Sequence, residues 1–193
     1  MIIAGLDAAL RKSGAAIMDG DRFIRAEAFT AKGEGHGEAF HEFRTWWRVF
    51  LVAHRIECVA IEEPLRSDLT RTEVKIIKGT PTKVKVPITN QQTLFGLYGV
   101  RAHAIEICAA LNIRCFEVNN QDWREVIHNQ RKAPKGTKDS SEWWKQRALA
   151  RCKQLGWAVP SKDAAEAALI CEWLRIRLSP LGKTADLFEE RAS

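Results

Sequence analysis

The sequence predicts an α/β fold in which a mixed five-stranded sheet is flanked by helices and carries a basic β-hairpin insertion. Three observations carry that reading. Short apolar runs alternate with helical periodicities in the order β-β-β-α-β-α-β-α-α-α. The first three runs are joined by turns and the later ones by helices, so antiparallel and parallel pairings must coexist. Between the fourth strand and the next helix, residues 66–88 contain two alternating segments around a central turn, which is the pattern of an inserted hairpin.

Met1–Leu6 is short, apolar and β-branched at Ile2 and Ile3, so it reads as a buried strand with Asp7 at its exit. Ser13-Gly14 marks a turn, Ala15–Met18 a second strand, and Asp19-Gly20-Asp21 the turn that closes it. Phe23–Thr30 completes an antiparallel meander. After a loop with Gly33, Gly35 and Gly37, the segment Glu38–His54 repeats Phe40, Phe43, Trp47, Phe50 and Leu51 at three and four residues, the spacing of an amphipathic helix. Cys58–Ile61 is a buried strand stopped by Pro64, and strand, helix, strand implies a right-handed parallel crossover.

In TEVKIIKGTPTKVKVPI the turn falls at Gly79-Thr80-Pro81. Asn90–Leu111 is a long helix with apolar Leu94, Leu97, Tyr98, Ile105 and Cys108, and Asn112–Val118 a further strand. Asn119–Asn129 is a short helix with an Asn cap. QRKAPKGTKDSS is a basic loop, after which Ser140 or Ser141 caps a helix running to Leu155. Asp163–Leu178 is a last amphipathic helix stopped by Pro180.

A chain of 193 residues suffices for one core, and neither an internal repeat nor a linker divides it, so residues 1–193 read as a single domain. The 46% hydrophobic and 28% charged fractions exclude a disordered chain. Five cysteines without a C-x-x-C pair point to a reducing compartment and away from structural zinc. The sequence contains no membrane-length apolar run and no signal-like start, which predicts a cytoplasmic protein without a membrane partner. Most of the seven tryptophans should be core or interface residues, and the five histidines lack metal-ligand spacing.

Four carboxylates stand where chemistry can use them. Asp7 ends the first strand, and Glu62 ends the fourth, in VAIEEP. Asp163 and Glu166 lie three apart at the start of the last helix and share a face. Each has a plainer reading alone: a turn aspartate, a strand-end glutamate, a carboxylate complementing a helix dipole. Together, if the first and fourth strands are neighbours, they would repel strongly unless a cation sat among them. Hard oxygen ligands suit Mg²⁺ or Mn²⁺, and two such ions about 4 Å apart serve phosphodiester hydrolysis.

The segments IIAGLDAALRKSGAAIMD, VAIEEPL and SKDAAEAALICEWL resemble the three acidic motifs of RuvC-type Holliday-junction resolvases. TLFGLYGVRAHAIEICAALNIRCFEV resembles the helix and strand after the second motif, so the resemblance covers most of the chain. It implies an RNase H-like fold, a homodimer, and a crossover junction endodeoxyribonuclease using two Mg²⁺ ions. Asp7, Glu62 and Asp163 match the family pattern directly, and Glu166 replaces its usual Asp with one more methylene of reach. Leu65 stands where bacterial members usually carry an aromatic residue, and RKAPKGTKDSSEWWKQRALARCKQLGW looks more like an insert of phage or prophage relatives.

The net charge of +6, at a pI of about 9.2, is unevenly spread. Residues 66–85 carry a net +4 and residues 124–153 a net +6, so the remainder is acidic at −4. Such segregation favours phosphate binding, with a solvated face as the plainer alternative. Lys75, Lys78, Lys83 and Lys85 on the hairpin, and Arg131, Lys132, Lys135 and Lys138 in the basic loop, are the candidate DNA contacts. The hairpin lysines alternate with apolar residues, which predicts one cationic face and one packed face. Alternatives to a resolvase are a broader branch or flap nuclease on the same scaffold and a non-catalytic junction-binding protein. A sugar-kinase-like or actin-like ATPase is disfavoured by length and by the lack of a Gly-rich phosphate loop after Asp7.

Overall fold

A computed structural model of the protein describes residues 1–64, 70–77, 79–87 and 89–179. In chain order its elements are β1 (Ile2–Asp7), β2 (Lys12–Asp19), β3 (Arg22–Thr30), α1 (His36–Ala53), β4 (Cys58–Glu62), β5 (Thr70–Ile77), β6 (Thr80–Pro87), α2 (Gln91–Ala110), β7 (Arg114–Val118), α3 (Asn120–His128), α4 (Ser140–Gln154) and α5 (Lys162–Leu178). Five strands form one mixed sheet in the order β3-β2-β1-β4-β7, and β5-β6 stand as a separate two-stranded ribbon. The first three strands are an antiparallel meander, while β1–β4 and β4–β7 are parallel. This is the mixed sheet that the sequence predicts, with β1 and β4 side by side. No described helix is long and apolar enough to cross a membrane.

Alternation along the strands divides the core into two layers. Ala4, Leu6, Ile17, Val59 and Ile61 face α1 and α2, where Phe43, Trp47, Phe50 and Leu51 meet them. Ile3, Ala16, Met18, Cys58 and Ala60 face α5. Burying each large aliphatic or aromatic side chain here contributes about 1.5–3 kcal/mol. By the same alternation Asp7 and Glu62 project from the α5 side of the sheet.

Several expectations are corrected. Helix α5 is not amphipathic over its first half: residues 164–171 are buried all round, because α3 and α4 stack on the side away from the sheet. Helix α2 buries Gly96, Val100, Ala104, Ile107 and Cys108, so small residues line its contact, and Tyr98 is exposed. The cap of α4 is Asp139, whose carboxylate accepts from the Glu142 N–H at 2.9 Å, and both serines lie inside the first turn.

Ser13-Gly14 is not a turn but part of β2, and the connection from β1 falls at residues 8–11. Ser13 holds that connection: its buried hydroxyl donates to the Ala9 carbonyl at 2.8 Å and accepts from the Ala9 N–H at 3.2 Å. Gly14 has a packing role instead. A methyl group there would overlap the main-chain carbonyl of Asp163 and come within 2.5 Å of the Ala164 nitrogen. Gly5 is equally constrained, since its added carbon would lie 2.5 Å from the Cys171 nitrogen. With Ala164, Ala165, Ala167 and Ala168, these glycines let the helix backbone lie directly on the strands.

Gly14→Ala is therefore expected to cost about 3 kcal/mol and to lower the melting temperature by about 6–12 °C. Gly37→Ala, in the first turn of α1 with open space around it and no left-handed backbone, leaves the packing of α5 untouched. Calorimetry of the two variants checks the contrast, and an unchanged transition in Gly14→Ala would refute the close approach.

Candidate active site

The register Leu6↔Ile61 sets Asp7 and Glu62 at the C-terminal ends of neighbouring parallel strands. Helix α5 then crosses those ends. Its N-cap is Ser161, whose hydroxyl accepts from the Ala164 N–H at 3.1 Å, which fixes Asp163 in the first turn and Glu166 one turn on. One carboxylate oxygen each from Asp7, Asp163 and Glu166 lies within 4.8 Å of the others. Glu62 stands beside this trio, with its Oε1 accepting from Trp123 Nε1 at 3.1 Å.

Two cations of the basic window 124–153, neither of them among the candidate DNA contacts, lie inside this acidic site. The Nη2 of Arg124 is 3.4 Å from Glu166 Oε1 and 3.9 Å from Glu62 Oε1. Its guanidinium carbon lies 5.1 Å from the ring centre of Trp123 and 4.8 Å from that of Trp144. Lys145 is ion-paired to Asp163. A sequence signal existed for Arg124, which lies in a short helix directly after β7, the strand beside β4. Lys145 gives no such signal, because its side depends on how α4 docks on α5.

Asp7, Glu62 and Glu166 resist ionisation. Burial, then the charges of Glu62, Glu166 and Asp163, holds Asp7 well above the ordinary carboxylate range. Glu62 is raised by burial, against the pull of Arg124 and the Trp123 hydrogen bond. Burial and the Glu62 charge push Glu166 up to about 7, with Arg124 and Lys145 opposing. For Lys145, burial favours the neutral amine, yet the ion pair with Asp163 and the charges of Asp7 and Glu166 hold its acidity below that of a free lysine, so its pKa is raised. A convergent set of oxygen donors, short of positive charge, fits a hard divalent cation, and neither imidazole nor thiolate joins the set among the described residues.

These groups form one end of a cleft of about 900 Å³. Arg131 and Lys132, from the basic loop, line it. Arg131 is partly occupied, pairing at 2.8 Å with both Asp122 and Glu125. Lys135 and Lys138 are exposed on the same loop. On the hairpin, Lys78 lies outside the described residues, and Lys75, Lys83 and Lys85 are exposed. The expectation of one cationic face is overturned by the register. The pairs Val74↔Lys83 and Thr72↔Lys85 place Lys83 and Lys85 on one face, whereas Lys75↔Thr82 places Lys75 on the other. Residues directly opposite share a face, so Lys83 and Lys85 stand among Val74 and Ile76, which are 65% and 78% exposed.

No protein-family model matches the sequence, and no curated protein matches it. Solved structures do match. The chain is similar to Thermus thermophilus RuvC in complex with a Holliday junction substrate, with a TM-score of 0.65 and 12% identity over 94% of this chain and 98% of that one. A second Thermus thermophilus RuvC structure matches with a TM-score of 0.63 and 13% identity, covering 91% and 95% of the two chains. The yeast mitochondrial Holliday junction resolvase Ydc2 matches with a TM-score of 0.50 and 10% identity, covering 90% and 77%. The fold is thus the RNase H-like fold of RuvC.

Because folding raises Glu166 from 4.5 to about 7, the folded protein retains a proton that the unfolded chain releases. That contribution to stability is complete below pH 4.5 and is lost as the pH rises through about 7. In metal-free buffer, Glu166→Gln is expected to be more stable than the parent at pH 8, by roughly 1–3 kcal/mol, and to lose this advantage at pH 4. Denaturant titrations at the two pH values measure the difference, and the reverse order would contradict the electrostatics described.

Proposed function

We propose that the chain is a metal-dependent, structure-selective endonuclease that hydrolyses phosphodiesters in four-way junctions and other branched DNA. The observation that carries this reading is the convergence of Asp7, Asp163 and Glu166 within 4.8 Å at the strand ends, with Glu62 adjoining. The shared fold supports it, since the similar structures include RuvC with a Holliday junction substrate. Residues 1–193 act as one nuclease domain, with 66–88 inserted as a basic hairpin, in the manner of a phage or prophage relative.

Asp7, Glu62, Asp163 and Glu166 would hold the ions, Mg²⁺ or Mn²⁺, two in number. Bound there, the ions supply Lewis-acid charge for activating water and stabilising the leaving oxygen. Arg124 keeps Glu62 and Glu166 oriented toward the cleft, and its contacts with Trp123 and Trp144 fix the guanidinium. Lys145 holds Asp163 in place from the opposite side. Lys132 and Arg131 give the cleft wall a positive charge that a DNA arm can follow.

A homodimer would set two such centres on opposed strands of one junction. Helix α2 offers it an aromatic surface, with Phe95 61% exposed and packed near His36 and Phe40. All five cysteines are free thiols, in accord with a cytoplasmic setting.

Asp7→Asn, Glu62→Gln and Asp163→Asn are each expected to reduce Mg²⁺-dependent nicking of a four-way junction by more than about 10²-fold, with junction binding and the cooperative melt retained. Native-rate nicking by Asp7→Asn would refute the assignment.

The hairpin register generates a separate expectation. Replacing Lys83 and Lys85 together by Ala should flatten the salt dependence of junction binding by about two units of slope, and the whole loss should lie on that one face. Lys75→Ala, on the opposite face, is the comparison. Identical slopes for the double variant and the parent would remove the Lys83 face from the DNA interface.

A further inference from the structure

Beside the main cleft lies a second hollow of about 450 Å³, formed by Lys12, Thr30, Glu142, Ser161 and Lys162, with Lys145 and Asp163 on its inner side. Lys12, Lys145 and Asp163 border both spaces. The Lys145–Asp163 ion pair is thus part of the wall of both hollows.

The cations around the second hollow are not equivalent. Lys145 is paired with Asp163, and Lys162 with Glu142. Arg11, the neighbour of Lys12, is turned away and donates to the main-chain carbonyls of Gly33 and Glu34. Lys12 is exposed and has no ion-pair partner among the described residues. Its base is nonetheless fixed. It opens β2 in register with Thr30, and the next residue, Ser13, is buried and bonded to Ala9. An ammonium on an anchored backbone, lining two neighbouring hollows of which one holds the carboxylates, suits a repeated anion better than a single one.

We propose that Lys12 binds a second phosphate of the DNA strand, next to the one at the carboxylates, so that the cleaved strand crosses from the main cleft over Asp163 into the second hollow. This rests on the nuclease reading of the carboxylate cluster and extends it. Lys12 is a substrate-positioning residue, touching a phosphate that does not react. It sets where along the strand the carboxylates meet the backbone, and the strand is held on both sides of the reacting bond.

The test uses the full chain and fluorescent four-way junctions, each with a single neutral methylphosphonate stepped along one strand through the crossover. Binding is measured without divalent metal, and Mg²⁺-dependent nicking is measured in parallel. For the parent protein, one position near the cut is expected to weaken binding about tenfold, the scale of a charged hydrogen bond. Lys12→Met should lose about the same factor on the unmodified junction and nothing further at that position. Lys12→Arg should restore the parent pattern, and melting curves establish that both variants fold.

If Lys12→Met binds the unmodified junction as the parent does, or keeps the full penalty at every position, the proposal is wrong. If the parent nicks and the coupling is absent, only the role of Lys12 fails. If the parent shows the coupling and does not nick, the nuclease reading fails and the phosphate contact stands. A parent chain that binds no branched DNA overturns both.

Discussion

The closeness of α5 to the sheet is the constraint on which the site depends. Gly5 and Gly14 remove the two side chains that would hold the helix away, and the alanines of α5 do the same from the other side. Only at that separation can a first-turn aspartate and a second-turn glutamate reach a carboxylate at the end of β1. The helix is also the middle layer of three, with the sheet beneath it and α3 and α4 above. Packing and chemistry are therefore specified by the same contacts, and a substitution that lifts α5 damages both.

Placing four carboxylates together works against folding. Burial raises Asp7, Glu62 and Glu166 above their ordinary ionisation ranges, and repulsion from neighbouring carboxylates adds to it for Asp7 and Glu166. Arg124 and Lys145 offset part of this, each from a helix outside the sheet. A carboxylate cluster that stores unfavourable charge is a familiar exchange of stability for function. The structure limits the cost by giving the acids partners with different attachments. Arg124 is braced by two indole rings, whereas Lys145 has a flexible stem.

The mixed five-stranded sheet and the places of the acids at strand ends and on one helix face were legible in the sequence because they depend on local pattern, while the pairing of β1 with β4 entered only as a condition. A strand that ends in Asp7, a parallel neighbour that ends in Glu62, and a helical i, i+3 pair need only periodicity and crossover handedness. What was not legible depends on tertiary contact. Gly14 looked like a turn residue because nothing local distinguishes a flexible glycine from one with a helix lying on it. The apolar positions of α2 included Leu94 and Tyr98, and the structure buries Gly96, against Leu10 of the β1–β2 connection, and Ala104 instead. Arg124 and Lys145 were counted with the surface charge, since a sequence does not show which cations point inward. The hairpin lysines seemed to share a face until cross-strand register separated Lys75 from Lys83 and Lys85.

The distance along the chain between the acidic residues has a consequence for biosynthesis. Asp7 is made before Asp163 and Glu166, which belong to the helix that the ribosome adds last among the described elements. Until α5 emerges, β1 and β2 have an open face where the helix will lie, and Asp7 has no acidic helix opposite it. The nascent protein can pair its first strands and begin its α1 layer, yet it cannot assemble the cluster. A polypeptide arranged in this way gains its carboxylate cluster and the helix that covers the sheet in the same step, so a prematurely terminated translation product carries neither.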